Sequence, residues 1–177
     1  MRIITGRYKG ATIGSPHKTT THPMSEKLRG AIFSALGELD GLNVLDAYAG
    51  SGACGLEALS RNAKSITFVE PDDIAYRTLQ TNLSLFSDSK DRFKSFKSTI
   101  EVWLSKHDLN FDVIITDPPY AQVNPKTIIE LAQRLTPNGV MVISLPADHK
   151  LIIPQQFRTI KQKTYGDASL VYLVRVN

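Results

Sequence analysis

The segment LNVLDAYAGSGACGLEALSRN, residues 42–62, sets three glycines between an apolar run and a helix-forming run. Gly50, Gly52 and Gly55 have the spacing G-x-G-x-x-G, directly after a strand-like stretch (42–48) and directly before ACGLEALSRN. Glycine allows positive φ and close backbone approach, so this strand–turn–helix unit predicts an α/β layer with a ligand at the turn, a bare strand-to-helix turn being the plainer alternative. The chain continues the alternation. SITFVE (65–70) is β-branched, and PDDIAYRTLQTNLSLF opens with a proline and two acids, the composition that a helix N-terminus favours. DRFKSFK (91–97) predicts a third strand, IEVWLSKH a helix, FDVIITD (111–117) a fourth strand, PKTIIELAQRLT a helix and GVMVISLP a fifth strand. The tail predicts an antiparallel hairpin turning at Gly166-Asp167. Alternating elements of this kind argue for a mostly parallel sheet covered by helices, with a C-terminal antiparallel hairpin.

Residues 1–40 read differently. RIITGRYKGATIG has strand-like pieces broken by glycines, a hairpin pattern. In SEKLRGAIFSAL, Leu28, Ala31, Ile32, Ala35 and Leu36 recur on one helical face, which leaves Lys27 and Arg29 for solvent or a ligand. The reading is an N-terminal extension (1–40) on a single α/β domain (41–177), a division that 177 residues accommodate.

Charge is distributed unevenly. Residues 1–30 carry Arg2, Arg7, Lys9, Lys18, Lys27 and Arg29 against Glu26, a net of +5, and the other 147 residues net −1. A basic arm points to a polyanion, most simply nucleic acid; a solvated basic surface is the plainer alternative. No run is long or apolar enough for a signal peptide or a membrane span, and the single cysteine, Cys54, fits a reducing cytosol. No Cys/His group has metal-ligand spacing, so no metal is expected.

Two sites compete for function. The glycine loop alone, Tyr48, Ala49, Gly50, Ser51 and Gly52 with Glu70 twenty residues beyond Gly50, fits NAD or S-adenosyl-L-methionine. A carboxylate at either cofactor's ribose suits Glu70. Asp46 leans toward the second cofactor. A pyrophosphate about 4 Å from a carboxylate costs on the order of 4 kcal/mol per like-charge pair at an effective dielectric near 20. An ammonium and a sulfonium reverse that sign. The alternative for Asp46 is a structural carboxylate that bonds its own loop.

The second site is Asp117-Pro118-Pro119-Tyr120, at the carboxyl end of the fourth strand and so on the same edge as the glycine loop. One proline stops a strand. An acid before it and an aromatic after it suit a planar amine: Asp117 accepts one amine hydrogen, the carbonyl of Pro118 the other, and Tyr120 stacks the ring. A base inside a duplex could not reach such a site, so the substrate would be unpaired or flipped. A proline-rich strand stop with a core tyrosine is the plain alternative. An NAD-dependent oxidoreductase, a non-catalytic RNA-binding module, and methylation of DNA adenine N6 or protein glutamine are the rival functions.

With these residues in place, the chain resembles the RsmD-type methyltransferases. RIITGRYKG is similar to that family's opening, HPMSEKLRGAIFSAL to its N-terminal helix and LDAYAGSGACGLEALSR to its cofactor loop; VEPDDIAYRTLQTNL, VIITDPPY and YGDASLVYL follow in order. The resemblance implies a seven-stranded S-adenosylmethionine-dependent fold and methyl transfer to the exocyclic N2 of a guanine in 16S ribosomal RNA. The RNA would lie within an assembled or assembling small subunit in the cytoplasm. Asp46, Gly50, Gly52 and Glu70 match the cofactor positions, and Asp117 to Tyr120 the catalytic motif. The chain departs from the family pattern at His22, Met24, Glu26 and Gly30 in the arm and at Thr99 on the adenine edge.

Overall fold

The computed structural model describes residues 1–16, 24–149 and 151–176. Among these, five α-helices and seven strands follow one another as α1 (Glu26–Leu36), β1 (Asn43–Ala47), α2 (Ala53–Ser60), β2 (Ser65–Glu70), α3 (Asp73–Ser84), β3 (Phe93–Lys97), α4 (Ile100–Lys106), β4 (Phe111–Thr116), α5 (Pro125–Ala132), β5 (Leu135–Pro146), β6 (Phe157–Tyr165) and β7 (Ala168–Arg175). The strands form one sheet in the order β3-β2-β1-β4-β5-β7-β6. The first five are parallel, and β7 runs antiparallel to both β5 and β6.

Side chains alternate across the sheet, and each face has its own core. On one face Val44, Val113, Ile115 and Leu170 meet Ile32 and Phe33 of α1, Leu56 and Leu59 of α2, and Leu79 of α3. On the other, Leu45, Ile114 and Ile143 meet Trp103 of α4 and Ile128 and Leu131 of α5. The central strands are buried on both faces, so they are apolar almost throughout. The helix starts follow local chemistry: Ser25, Asp72 and Asn124 each accept a backbone N–H of the first turn, and Pro125 takes the first position of α5, where a missing N–H costs nothing.

Three details differ from the sequence expectation. α5 stops at Ala132, and β5 begins four residues before the expected Gly139. Leu135 pairs with Phe111 and is buried, which draws this segment into the sheet at the cost of a bulge between Phe111 and Val113. β4 ends at Thr116, so Asp117 stands just beyond the strand. The buried face of α1 is rotated: Leu28, Arg29, Ile32 and Phe33 are buried, whereas Ala35 is exposed. Phe33 offers more apolar surface than Ala35, and the larger gain sets the rotation.

The extension folds back on the body. Arg2 and Thr12 form an antiparallel bridge, Ile3 and Gly10 bond across the turn, and Ile3 and Ile13 enter the core that α1 and α2 share. Glu57, fully buried on α2, ties this arm down. It accepts the N–H groups of Ile4 at 2.7 Å and Thr5 at 3.1 Å and the Arg61 Nε at 2.9 Å, and the buried Arg29 Nε lies 4.0 Å away.

Gly55 lets α2 lie directly on β2. A Cβ there would sit 2.2 Å from Cε1 of Phe68 and 2.9 Å from Cγ2 of Ile66. Gly55→Ala is therefore expected to destabilise the protein by about 1–3 kcal/mol through overpacking, measured as a shift in the urea midpoint with an unchanged m-value.

Candidate active site

The parallel strands β1, β2 and β4 end at one edge, and the loops after them meet there. After β1 the chain turns through Tyr48 at φ 60°, Gly50 at φ 57° and Gly52 at φ 79°, the last of which caps α2. Positive φ at three of five successive residues explains the two glycines, and a Cβ built on Gly50 would meet no atom within 4 Å. The loop is lashed down at each end. Ala49 N–H bonds to the carbonyl of Val69 at 3.1 Å, and the Glu70 carboxylate accepts Gly50 N–H at 2.8 Å and Asp72 N–H at 2.7 Å. Asp46 is buried and accepts Gly55 N–H at 2.7 Å, so it secures the turn from inside. Asp46 and Glu70 both hold the shape of this loop, the structural role the sequence had left open for Asp46.

The edge gathers negative charge. Burial pushes the Asp46 carboxyl up to about 8; the Gly55 N–H pulls it back, and the Asp117 and Glu70 carboxylates beside it push it further up. A cationic ligand would draw the proton off Asp46 and be held by the three acids, whereas a pyrophosphate would be repelled by those that stay ionised. Cys54, the second residue of α2, lies in the same field. Burial and these carboxylates push its thiol well above the ordinary range, and its Sγ is 3.6 Å from Met24 Sδ. It packs the start of α1 against the loop. Among the described residues no group of three or more His, Cys, Asp or Glu could hold a metal ion, and no helix is long and apolar enough to cross a membrane.

Asp117 and Tyr120 occupy the mouth of this edge. Asp117 is partly buried, Pro118 is buried, and Pro119 and Tyr120 are exposed, with Tyr120 opening a short 3-10 turn. Burial raises the Asp117 carboxyl to about 6, and a hydrogen bond from Ser144 pulls it back. The Tyr120 hydroxyl lies 3.3 Å from the same Ser144 Oγ. Ser144, buried near the end of β5, thus couples the acid and the aromatic, and sequence reading missed it. Its signal was a lone hydroxyl in the apolar run VMVIS, on the strand next to β4. Asp167, in the β6–β7 turn, is also near enough to push the Tyr120 phenol up. Thr99 caps α4 by accepting Val102 N–H.

The basic arm separates into different roles. Arg2, Lys9 and Lys27 are exposed. Arg7 is exposed but bound to Asp88 at 2.6 Å, where Tyr8 also bonds, so it clips the arm to the loop after α3. Arg29 corrects the sequence expectation of a solvent-facing cation: it is fully buried, donates from Nη2 to the Arg2 carbonyl at 2.5 Å and faces Glu57. On that face of α1 its Nε lies 4.0 Å from the Glu57 carboxylate, a counter-charge that makes its burial tolerable. Lys18 lies outside the described residues.

A doubly covered seven-stranded sheet with one antiparallel strand is the fold of solved S-adenosylmethionine-dependent methyltransferases, and here it carries a glycine loop and an acid–aromatic motif on one edge. Residues 1–174 match the family described as "Conserved hypothetical protein 95". The chain belongs to this family, the RsmD-type methyltransferases. It is similar to the Bacillus subtilis protein named "Putative rRNA methyltransferase YlbH", with 32% identity covering 94% of each chain. It is similar also to the ribosomal RNA small subunit methyltransferase D of Haemophilus influenzae, with 29% identity covering 96% of this chain and 91% of that one. The solved structure of a hypothetical protein of Thermus thermophilus is 29% identical, covers 99% of each chain and superposes with a TM-score of 0.80.

Proposed function

We propose that this methyltransferase uses S-adenosyl-L-methionine to methylate the exocyclic N2 amine of a guanine in 16S ribosomal RNA, presented by an assembled or assembling small subunit in the cytoplasm. The observation that carries the reading is the placement of Asp117 and Tyr120 beside the glycine loop, joined through Ser144. The names of the relatives supply the substrate class.

The cofactor fits the residues present: the open side of Gly50 gives backbone access, and the Asp46 and Glu70 carboxyls beside it suit positive charge. Tyr48 to Gly52 and Glu70 would hold it. When bound, S-adenosylmethionine supplies an electrophilic methyl group on a sulfonium. The chain's own residues prepare the amine. A guanine N2 is a poor nucleophile because its lone pair is delocalised into the ring. Asp117 accepts one of its hydrogens and the Pro118 carbonyl, stiffened by consecutive prolines, the other, which frees the lone pair for attack. The Tyr120 ring stacks the extruded base, a contact worth roughly 1–3 kcal/mol. The surplus proton passes to Asp117, whose raised affinity suits a base near neutrality.

Transfer of labelled methyl groups to small subunits from cells lacking this activity, followed by nucleoside analysis, tests the assignment. Label is expected in N2-methylguanosine. Label in adenosine or in ribosomal protein would overturn it.

A further inference from the structure

The N-terminal arm is not the sole basic region. Residues 149–177 hold Lys150, Arg158, Lys161, Lys163 and Arg175 against the single acid Asp167, a net of +4, and residues 31–148 net −5. Positive charge therefore sits at both ends of the chain, and the fold sets three of the C-terminal cations, Arg158, Lys161 and Lys163, on one face of the sheet. β6 is the outer strand of the sheet, and Arg158 to Thr164 are all exposed. Arg158 pairs with Val174, Lys161 with Tyr172 and Lys163 with Leu170. Tyr172 and Leu170 belong to the core beneath α1, so the three cations project on the α1 face.

A bulge between Thr159 and Lys161 makes this possible. Without the extra residue, Arg158 and Lys161 would point to opposite faces. The Lys161 ammonium lies 5.6 Å from the Tyr172 ring centre, and Lys163 lies 5.2 Å from that of Tyr165. Among the described residues none of the three has a carboxylate partner. Lysine on an edge strand also discourages edge pairing, but that role does not require all the cations on one face.

The row leads to the site. Lys163 pairs with Leu170, which pairs with Ser144, so two strand spacings, about 10 Å, separate Lys163 from the residue that bonds Asp117 and Tyr120. At the end of the same hairpin, Asp167 influences Tyr120. We infer that β6 is a track for the RNA backbone, on which Arg158, Lys161 and Lys163 hold successive phosphates and deliver the target strand to the Asp117 mouth. This inference rests on the RNA reading above.

The test compares Arg158→Gln/Lys161→Gln/Lys163→Gln with a control of equal charge change at exposed sites elsewhere, Lys64→Gln/Lys106→Gln/Lys126→Gln. Filter binding of small subunits from cells lacking this activity is measured from 50 to 200 mM salt. The β6 variant is expected to raise Kd about tenfold and to lower the slope of log K against log salt by about 2, three contacts at about 0.7 each. Lys163→Gln alone is expected to lower it by about 0.7. The control stays within about twofold of wild type, and all variants keep the wild-type kcat at saturating substrate. A β6 variant indistinguishable from the control overturns the track while wild-type methylation of RNA stands. A wild-type chain that neither binds nor methylates RNA overturns the underlying reading instead.

Discussion

Asp117→Ala lowers kcat by about 10²–10⁴, the range typical for loss of a positioned acid–base group, and leaves affinity for S-adenosylmethionine nearly unchanged. Two functions are removed together, acceptance of an amine hydrogen and uptake of the surplus proton, and neither is needed to form the glycine loop. Asp117→Asn separates them, because the amide oxygen still accepts a hydrogen bond but cannot take a proton; its kcat falls between those of wild type and the alanine variant. The pH profile carries the same signature. Burial raises Asp117 to about 6, and uptake of the surplus proton requires the ionised form. Activity is therefore full above that value and is lost as pH falls through it, about tenfold per pH unit below. Single-turnover methyl transfer between pH 5 and 8, with cofactor binding measured by calorimetry on the same samples, checks both statements. An Asp117→Ala enzyme with the wild-type rate would falsify the amine clamp.

Glu57→Ala has the largest expected effect on stability. One carboxylate holds the N–H groups of Ile4 and Thr5 and faces Arg29 and Arg61, and both it and Arg29 are fully buried. Its removal leaves a guanidinium inside the protein with no counter-charge, and removing one partner of a buried pair costs about 3–5 kcal/mol. For a chain of this size that corresponds to a Tm lower by about 6–20 °C. Glu57→Gln, which keeps the side-chain volume and one of the two acceptor oxygens, loses less. Because the contacts join the arm to α2, amide exchange accelerates first at Ile4 and Thr5. Calorimetric unfolding at pH 7 and exchange by mass spectrometry read the two effects; an unchanged Tm would mean that the network contributes nothing.

Much of this molecule is legible in the residues. The alternation of β-branched runs with capped helices, the glycine spacing and the Gly166-Asp167 turn each record a local preference, and the sheet follows them. The carboxyl-edge placement of the glycine loop and of Asp117 follows from parallel strands alone. Arg29 is the instructive exception. Helical periodicity treats a cation as a surface residue, and nothing near it in sequence announces a carboxylate 28 positions later that makes burial tolerable. Ser144 is similar: its neighbours read as an ordinary core strand, and its bonds to Asp117 and Tyr120 come from strand adjacency.

The sequence by itself determined the elements, their order and the two motifs, because turns, caps and side-chain periodicity act over a few residues. The tertiary structure decided which charges pair, which face the cations of β6 share and what Asp117 touches. Those outcomes depend on contacts between residues tens of positions apart, and on a one-residue bulge whose effect appears only once two strands are in register.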